Sequence, residues 1–227
     1  MKLITNLQEL IGNNDRILYI AAKDGYYEVH QTPVGIFSVK TVPEKLPTWK
    51  EGFHLSLPKI PVSVLGQIIA FFRHYCVLRK EVYARIYWDE EKGNYVAHVP
   101  RQIVTSTSVV YEADERDLEI GMNVHMIPVM DIHSHHAMKA FWSYTDDCDE
   151  VATQLYAVVG WLDIPNPELL VRFGVRGKHR SIDPSAVFEE GYEKAYQWTD
   201  FPAEWTKRVE VKVNEYGDDT EWQAGSF

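Results

Sequence analysis

Between positions 133 and 150 the chain reads HSHHAMKAFWSYTDDCDE, which places three histidines and four carboxylates in one short stretch. On an extended strand, residues i and i+2 project to the same side. His133 and His135 can therefore aim their imidazole nitrogens at one ion. Two neutral imidazoles plus one carboxylate form a common ligand set for catalytic zinc, with a further position open to water. Asp146 completes that set if the chain turns back through HAMKAFW. A His-x-His pair standing alone is more often two ordinary strand histidines, so the spacing to the carboxylate carries the argument.

The neighbouring residues have plainer readings. His136 faces away from His133 and His135 on a strand and is not expected to be a ligand. Asp147 and Asp149 are expected to favour a helix N-terminus through its dipole. Cys148 brings a thiol, a good zinc ligand when ionised, but its place in a first helical turn predicts a small buried residue. No histidine base is marked as its partner for nucleophilic chemistry. His179, in RGKHRSID, reads as a surface residue near a turn.

The elements that must position these groups are legible as patterns. Residues 17–39 read as short strands broken at Asp24-Gly25 and at Pro33-Val34-Gly35. The stretch 40–61 carries four prolines and reads as a connection. Val62, Leu65, Ile69, Phe72 and Cys76 then recur at spacings of three and four, predicting a helix opened by Pro61 with one apolar face. Strands are predicted at 81–88, at 95–99 after the turn EEKGN, and at 106–112. Residues 113–124 read as acidic and irregular. MIPVMDIH (126–133) is an apolar strand that runs into the histidines, followed by strands at 155–162 and 168–177. Residues 201–213 suit a helix or a further strand. The succession implies an α+β or mixed α/β fold.

Composition narrows the function. With 227 residues, 45% of them hydrophobic, the chain is long enough to bury a core. A formal net charge of −10, without a lysine/arginine cluster, disfavours a nucleic-acid partner. No run of about 18 apolar residues predicts a membrane span, and the first residues lack the features of a signal peptide. With two cysteines, Cys76 and Cys148, a reducing, cytoplasmic setting is the expectation.

Several metal folds begin with His-x-His. Metallo-β-lactamases continue His-x-His-x-Asp-His, where this chain has His136, Ala137 and Met138. Cupins need a glutamate a few residues on, and positions 136–142 hold none. Amidohydrolase barrels need a longer chain. The pattern that remains is His-x-His, seven residues, Ser-x-x-Asp, filled without a gap by His133, His135, Ser143 and Asp146. This is the JAMM motif, and the chain resembles the JAB/MPN family of zinc metalloproteases. The strand MIPVMDIHSH, the segment Trp142-Ser143-Tyr144-Thr145-Asp146, the helix after it and an apolar strand ending Gly160-Trp161-Leu162-Asp163 are similar to the prokaryotic branch. The likeness spans roughly residues 60–190.

The resemblance implies a mixed sheet flanked by helices, of the cytidine-deaminase-like kind, with zinc as cofactor. It also implies a catalytic glutamate on a strand just after the first helix. Glu81 stands in that place; Glu112 and Glu119 are rival carboxylates ranked below it. In the family's chemistry Glu81 is the base and Ser143 donates to the oxyanion, with a helix cap as the competing role for Ser143. The implied substrate is a protein or peptide amide, often an isopeptide between a ubiquitin-like C-terminus and a lysine. Non-catalytic members of the fold serve as interaction modules and usually lack a ligand or the glutamate; all five positions are filled here, which favours catalysis. Hydrolysis of a small-molecule amide or a carrier-protein adduct is a third reading. The expected organisation is a β-rich extension (1–55), the metalloprotease-like domain (56–190) and a tail (191–227).

Overall fold

In the computed structural model, residues 16–42 and 51–212 are described. The chain forms two compact units, residues 1–51 and 52–227. In the first, β1 (Ile17–Ala22), β2 (Gly25–Thr32) and β3 (Gly35–Thr41) make an antiparallel three-stranded sheet. The breaks between strands fall at the two turns expected from the sequence. Leu18 and Ile20 pack on Val29, so this sheet has a small apolar cluster of its own.

The second unit is built around a six-stranded mixed sheet. Its strands are β4 (Tyr83–Asp89), β5 (Asn94–His98), β8 (Met126–Ser134), β9 (Leu155–Gly160), β10 (Glu168–Val175) and β11 (Lys178–Ile182), in the order β11-β10-β9-β8-β4-β5. All neighbours are antiparallel except β8 and β9. Parallel neighbours need a crossover, and here the crossover is residues 135–154, the segment that holds Ser143 and Asp146.

Alternation along the strands separates two faces. Ala84 and Ile86 on β4, Met130 and Ile132 on β8, Leu155, Ala157 and Val159 on β9, and Leu169 and Val171 on β10 all enter one core cluster. That cluster also contains the large buried side chains of α1 (Val62–Cys76), among them Leu65, Ile69 and Phe72. The intervening residues Tyr83, Arg85, Asp131, His133, Tyr156 and Arg172 lie on the opposite face, beneath the crossover. Helix α1 is more deeply enclosed than a single apolar face predicts: Ile68 and Phe71 are as buried as Leu65, Ile69 and Phe72. The 3₁₀ segments Tyr192–Gln197 and Ala203–Arg208 cover its other side with Ala195, Tyr196 and Trp205. Each large apolar side chain so enclosed contributes about 1.5–3 kcal/mol.

A third sheet joins β6 (Gln102–Val104), β7 (Val109–Tyr111) and β12 (Val209–Val211) in the order β12-β6-β7. The described protein is thus mixed α+β, strand-rich and poor in helix. No helix among the described residues is long and apolar enough to cross a membrane.

Several expectations need correction. Residues 113–124 are not irregular: Glu115–Met122 is a helix, α2, opened by a reciprocal capping box between Asp114 and Asp117. It buries no residue. It is held instead by Asp117, which meets His98 Nε2 at 2.6 Å and accepts from Arg208 Nη2 at 2.6 Å. An acidic segment without an apolar stripe gives no periodic signal, so the helix was illegible. Strand β6 has three residues, too few to show alternation, and β11 is polar, so neither is legible in the sequence. The described part of 201–213, expected to hold a helix or a further strand, holds the 3₁₀ segment Ala203–Arg208 and then β12, which pairs with β6. Residues 213–227 lie outside the described residues.

Candidate metal centre

β8 carries His133 in register with Tyr83 of β4 and Val158 of β9, so the ring stands on the crossover face of the central strand pair. His135 lies just past the strand end, where its backbone N–H donates to Val159 O at 2.8 Å. His133 Nε2 and His135 Nε2 are 3.2 Å apart. The crossover returns Asp146, whose Oδ1 lies 3.5 Å from His133 Nε2. One ligand atom from each of the three residues falls within 4.8 Å of the others, and among the described residues this is the one such group of three. A tetrahedral ion with bonds of about 2.0–2.1 Å spaces its ligand atoms roughly 3.3–3.4 Å apart. The donor set and its spacing fit such an ion.

The surroundings prepare each ligand. Burial pushes the His133 imidazole down to about 4, against the pull of Asp146, so the ring is neutral and its lone pair available at neutral pH. Burial lowers His135 as well. Its Nδ1 faces the Lys139 carbonyl at 3.4 Å. A carbonyl only accepts, so the proton sits on Nδ1 and Nε2 presents its lone pair to the site. Phe141 packs its ring on that of His135 with centroids 4.4 Å apart.

Asp146 is oriented by a short helix, α3 (Tyr144–Asp149), which Ser143 caps. The bonds are reciprocal: Ser143 Oγ accepts from Asp146 N at 3.1 Å, and Asp146 Oδ2 accepts from Ser143 N at 2.6 Å. One carboxylate oxygen is thereby tied to backbone while the other points at His133. Ser143 does serve as the cap, and capping uses only its acceptor side. The hydroxyl proton remains free to donate.

Glu81 lies just before β4 rather than within it. Its backbone N–H donates to Thr105 O at 3.0 Å. The side chain is buried, and burial together with the nearby Asp146 charge pushes its carboxyl up to about 8. Glu112 is exposed at the end of β7 and Glu119 is exposed on α2; neither shares this enclosure.

The other expectations divide. His136 is buried outside the triad, with Nε2 on Ser106 O at 3.1 Å and Nδ1 accepting from Ala137 N at 2.8 Å. Its φ of 35° is left-handed, and this kink turns the chain from the strand into the crossover. Cys148 is exposed, not buried, because α3 has no apolar face to bury it. His179 is no surface residue: it sits in β11, and its Nε2 donates to Glu150 O at 2.7 Å. Sequence reasoning passed over Arg172, which is 4% exposed and beside the crossover. Its signal was one arginine inside the apolar run LLVRFGV.

Compared with known proteins, the chain matches no protein-family model and no curated protein.

Proposed function

We propose that this protein is a zinc-dependent amide hydrolase of the JAB/MPN type. The observation that carries the reading is the convergence of His133, His135 and Asp146, whose ligand atoms lie within 4.8 Å of one another, with a buried glutamate within reach of the Asp146 charge. The unbroken His-x-His-x7-Ser-x-x-Asp spacing supports the family assignment.

Zinc held by these three residues supplies a polarised carbonyl and a water acidified from 15.7 to about 7. The remaining work belongs to the chain. Glu81 takes the proton of the attacking water and returns it to the departing amine nitrogen. Burial raises the proton affinity of this carboxylate, while the charge of a dication held beside it would favour the ionised form that accepts the proton. Ser143 Oγ donates its free proton to the oxygen of the attacked carbonyl, a contact of a kind whose loss costs roughly 2.7–4 kcal/mol. The proposed substrate is a protein or peptide amide, with ubiquitin-like isopeptides as the first class to assay.

Glu81→Gln is the discriminating variant. It keeps the shape and a hydrogen bond but accepts no proton. Elemental analysis should find one zinc per chain in wild type and variant alike, while turnover of an isopeptide-linked fluorogenic substrate falls by about 10²–10⁴-fold. A variant that keeps full turnover excludes Glu81 as the base, and one that loses zinc makes Glu81 a ligand. Zinc in wild type without cleavage of any amide would point to an interaction module.

A further inference from the structure

The helix that carries Asp146 has little of its own to hold it. α3 is six residues long and buries none of them. Isolated helices shorter than about 12–15 residues are marginal in water, and helices in proteins are usually held by an apolar face, which α3 lacks. Yet Asp146 must stand within an ångström or less of its place for three ligands to share an ion. Something other than apolar packing must fix the segment.

Arg172 is that contact. It lies on β10, in register with Tyr156 of β9, and its side chain rises from the crossover face of the sheet. The guanidinium donates from Nε to Glu150 Oε2 at 2.8 Å and from Nη1 to Asp147 Oδ1 at 2.5 Å, with Nη2 2.6 Å from the same Glu150 oxygen. Its Cζ lies over the Trp142 ring, 4.0 Å from the ring centre. The three partners bracket the functional pair in sequence. Trp142 immediately precedes Ser143, Asp147 immediately follows Asp146, and Glu150 closes the helix. From β11, His179 grips the Glu150 carbonyl at 2.7 Å.

We propose that Arg172 is the positioning residue of the metal centre, clamping the Trp142–Glu150 segment to the sheet so that Asp146 and Ser143 face His133 and His135. This rests on reading the triad as a metal centre. Arg172 is not a ligand, because a guanidinium stays protonated and offers no lone pair. Its planar fork and stacking face serve three partners at once, which a lysine does not reproduce.

The test uses the full-length chain, with cobalt(II) alone as the probe. Wild type should bind cobalt with the intense visible absorption of a tetrahedral site. Arg172→Met should bind it about 10–100-fold more weakly, with an altered spectrum, as expected for losing a group that orients a ligand. Arg172→Lys should recover part of the affinity, since a point charge can still pair with one carboxylate. Affinity within about twofold of wild type and an unchanged spectrum in Arg172→Met would overturn the proposal. Should that variant fail to fold, Asp147→Asn replaces it, because the Asp147 side chain is 54% exposed and its loss empties no buried site. A several-fold drop is expected there, and none would overturn the clamp. Hydrogen exchange of the metal-free protein separates this claim from the metal reading. The Asp146, Asp147 and Glu150 amides, bonded to Ser143 Oγ, Ser143 O and Asp146 O, should lose protection in the variant while β9 and β10 keep theirs. Wild type that takes up no cobalt defeats the metal reading; equal protection of those amides in wild type and variant defeats the clamp.

Discussion

Ser134 and Val82 exchange two hydrogen bonds: Ser134 N donates to Val82 O at 2.9 Å, and Val82 N donates to Ser134 Oγ at 2.9 Å. The residue between the two histidine ligands is thus fastened to the residue after Glu81. Both are fully buried. This pair sets the distance between the proposed base and the proposed ligands. Ser134→Ala leaves the Val82 N–H without a partner, at a cost of about 1–3 kcal/mol. The melting temperature should fall by several degrees. Turnover should fall further than zinc content, because Glu81 is loosened while the histidines keep their strand. Equal losses of zinc and turnover would show that the bond serves the ligands instead.

The ligands should respond differently from the base. Asp146→Asn replaces an anionic oxygen with a poor metal donor, and His133→Ala removes one donor outright. Both should strip the metal, and thermal stability with it, since binding free energy is also folding free energy. Elemental analysis of each purified variant is the measurement. Undiminished zinc in both would mean that the triad does not hold it.

Metal-free protein should show two opposed pH dependences. The folded chain keeps a proton on Glu81 up to about 8, whereas the ordinary value is 4.5. Between those limits the folded state binds more protons than the unfolded state, so stability falls as pH rises through the window. His133 behaves in the reverse sense. Its folded value of about 4 lies below the ordinary 6.5, so stability falls as pH drops through that interval. Melting temperatures of chelator-treated protein should therefore change little between about pH 4.5 and 6.5, where the two dependences cancel, and fall between about pH 6.5 and 8. Glu81→Gln should remove that alkaline fall and unmask a rise on the acid side from about pH 4 to 6.5. A variant whose alkaline limb matches wild type would assign that limb to another group.

Glu81, the triad, Ser143 and Arg172 all lie within residues 52–227, and the core cluster around α1 draws its members from the same unit. A chain beginning at Gly52 should fold and bind zinc as the full-length protein does. Circular dichroism and metal titration of that shorter chain would check it; loss of the fold would show that the first unit supports the second.

Local patterns made much of this protein legible. Alternation marked β4, apolar runs marked β8, β9 and β10, the three–four spacing marked α1, and the turns marked the first sheet, because each depends on neighbours a few residues apart. The candidate metal triad was legible for a related reason: strand geometry alone puts His133 and His135 on one side, and Ser143 and Asp146 form a cap whose signature is local. Tertiary structure decided the rest. That Asp146 returns to His133 depends on β8 and β9 being parallel, which forces the crossover over that face of the sheet. That Glu81 is buried beside them depends on Ser134 and Val82, 52 positions apart. Arg172 gained its place from three partners in a segment 22 to 30 positions earlier, as Glu150 and Trp142 show. Helix α2 was hidden because a hydrogen bond to His98 and an ion pair with Arg208 hold it, and such contacts leave no periodic trace in a sequence. Spacing determines which residues can share a ligand; only the packed chain decides what holds them there, because burial and hydrogen-bond partners come from elements far apart in sequence.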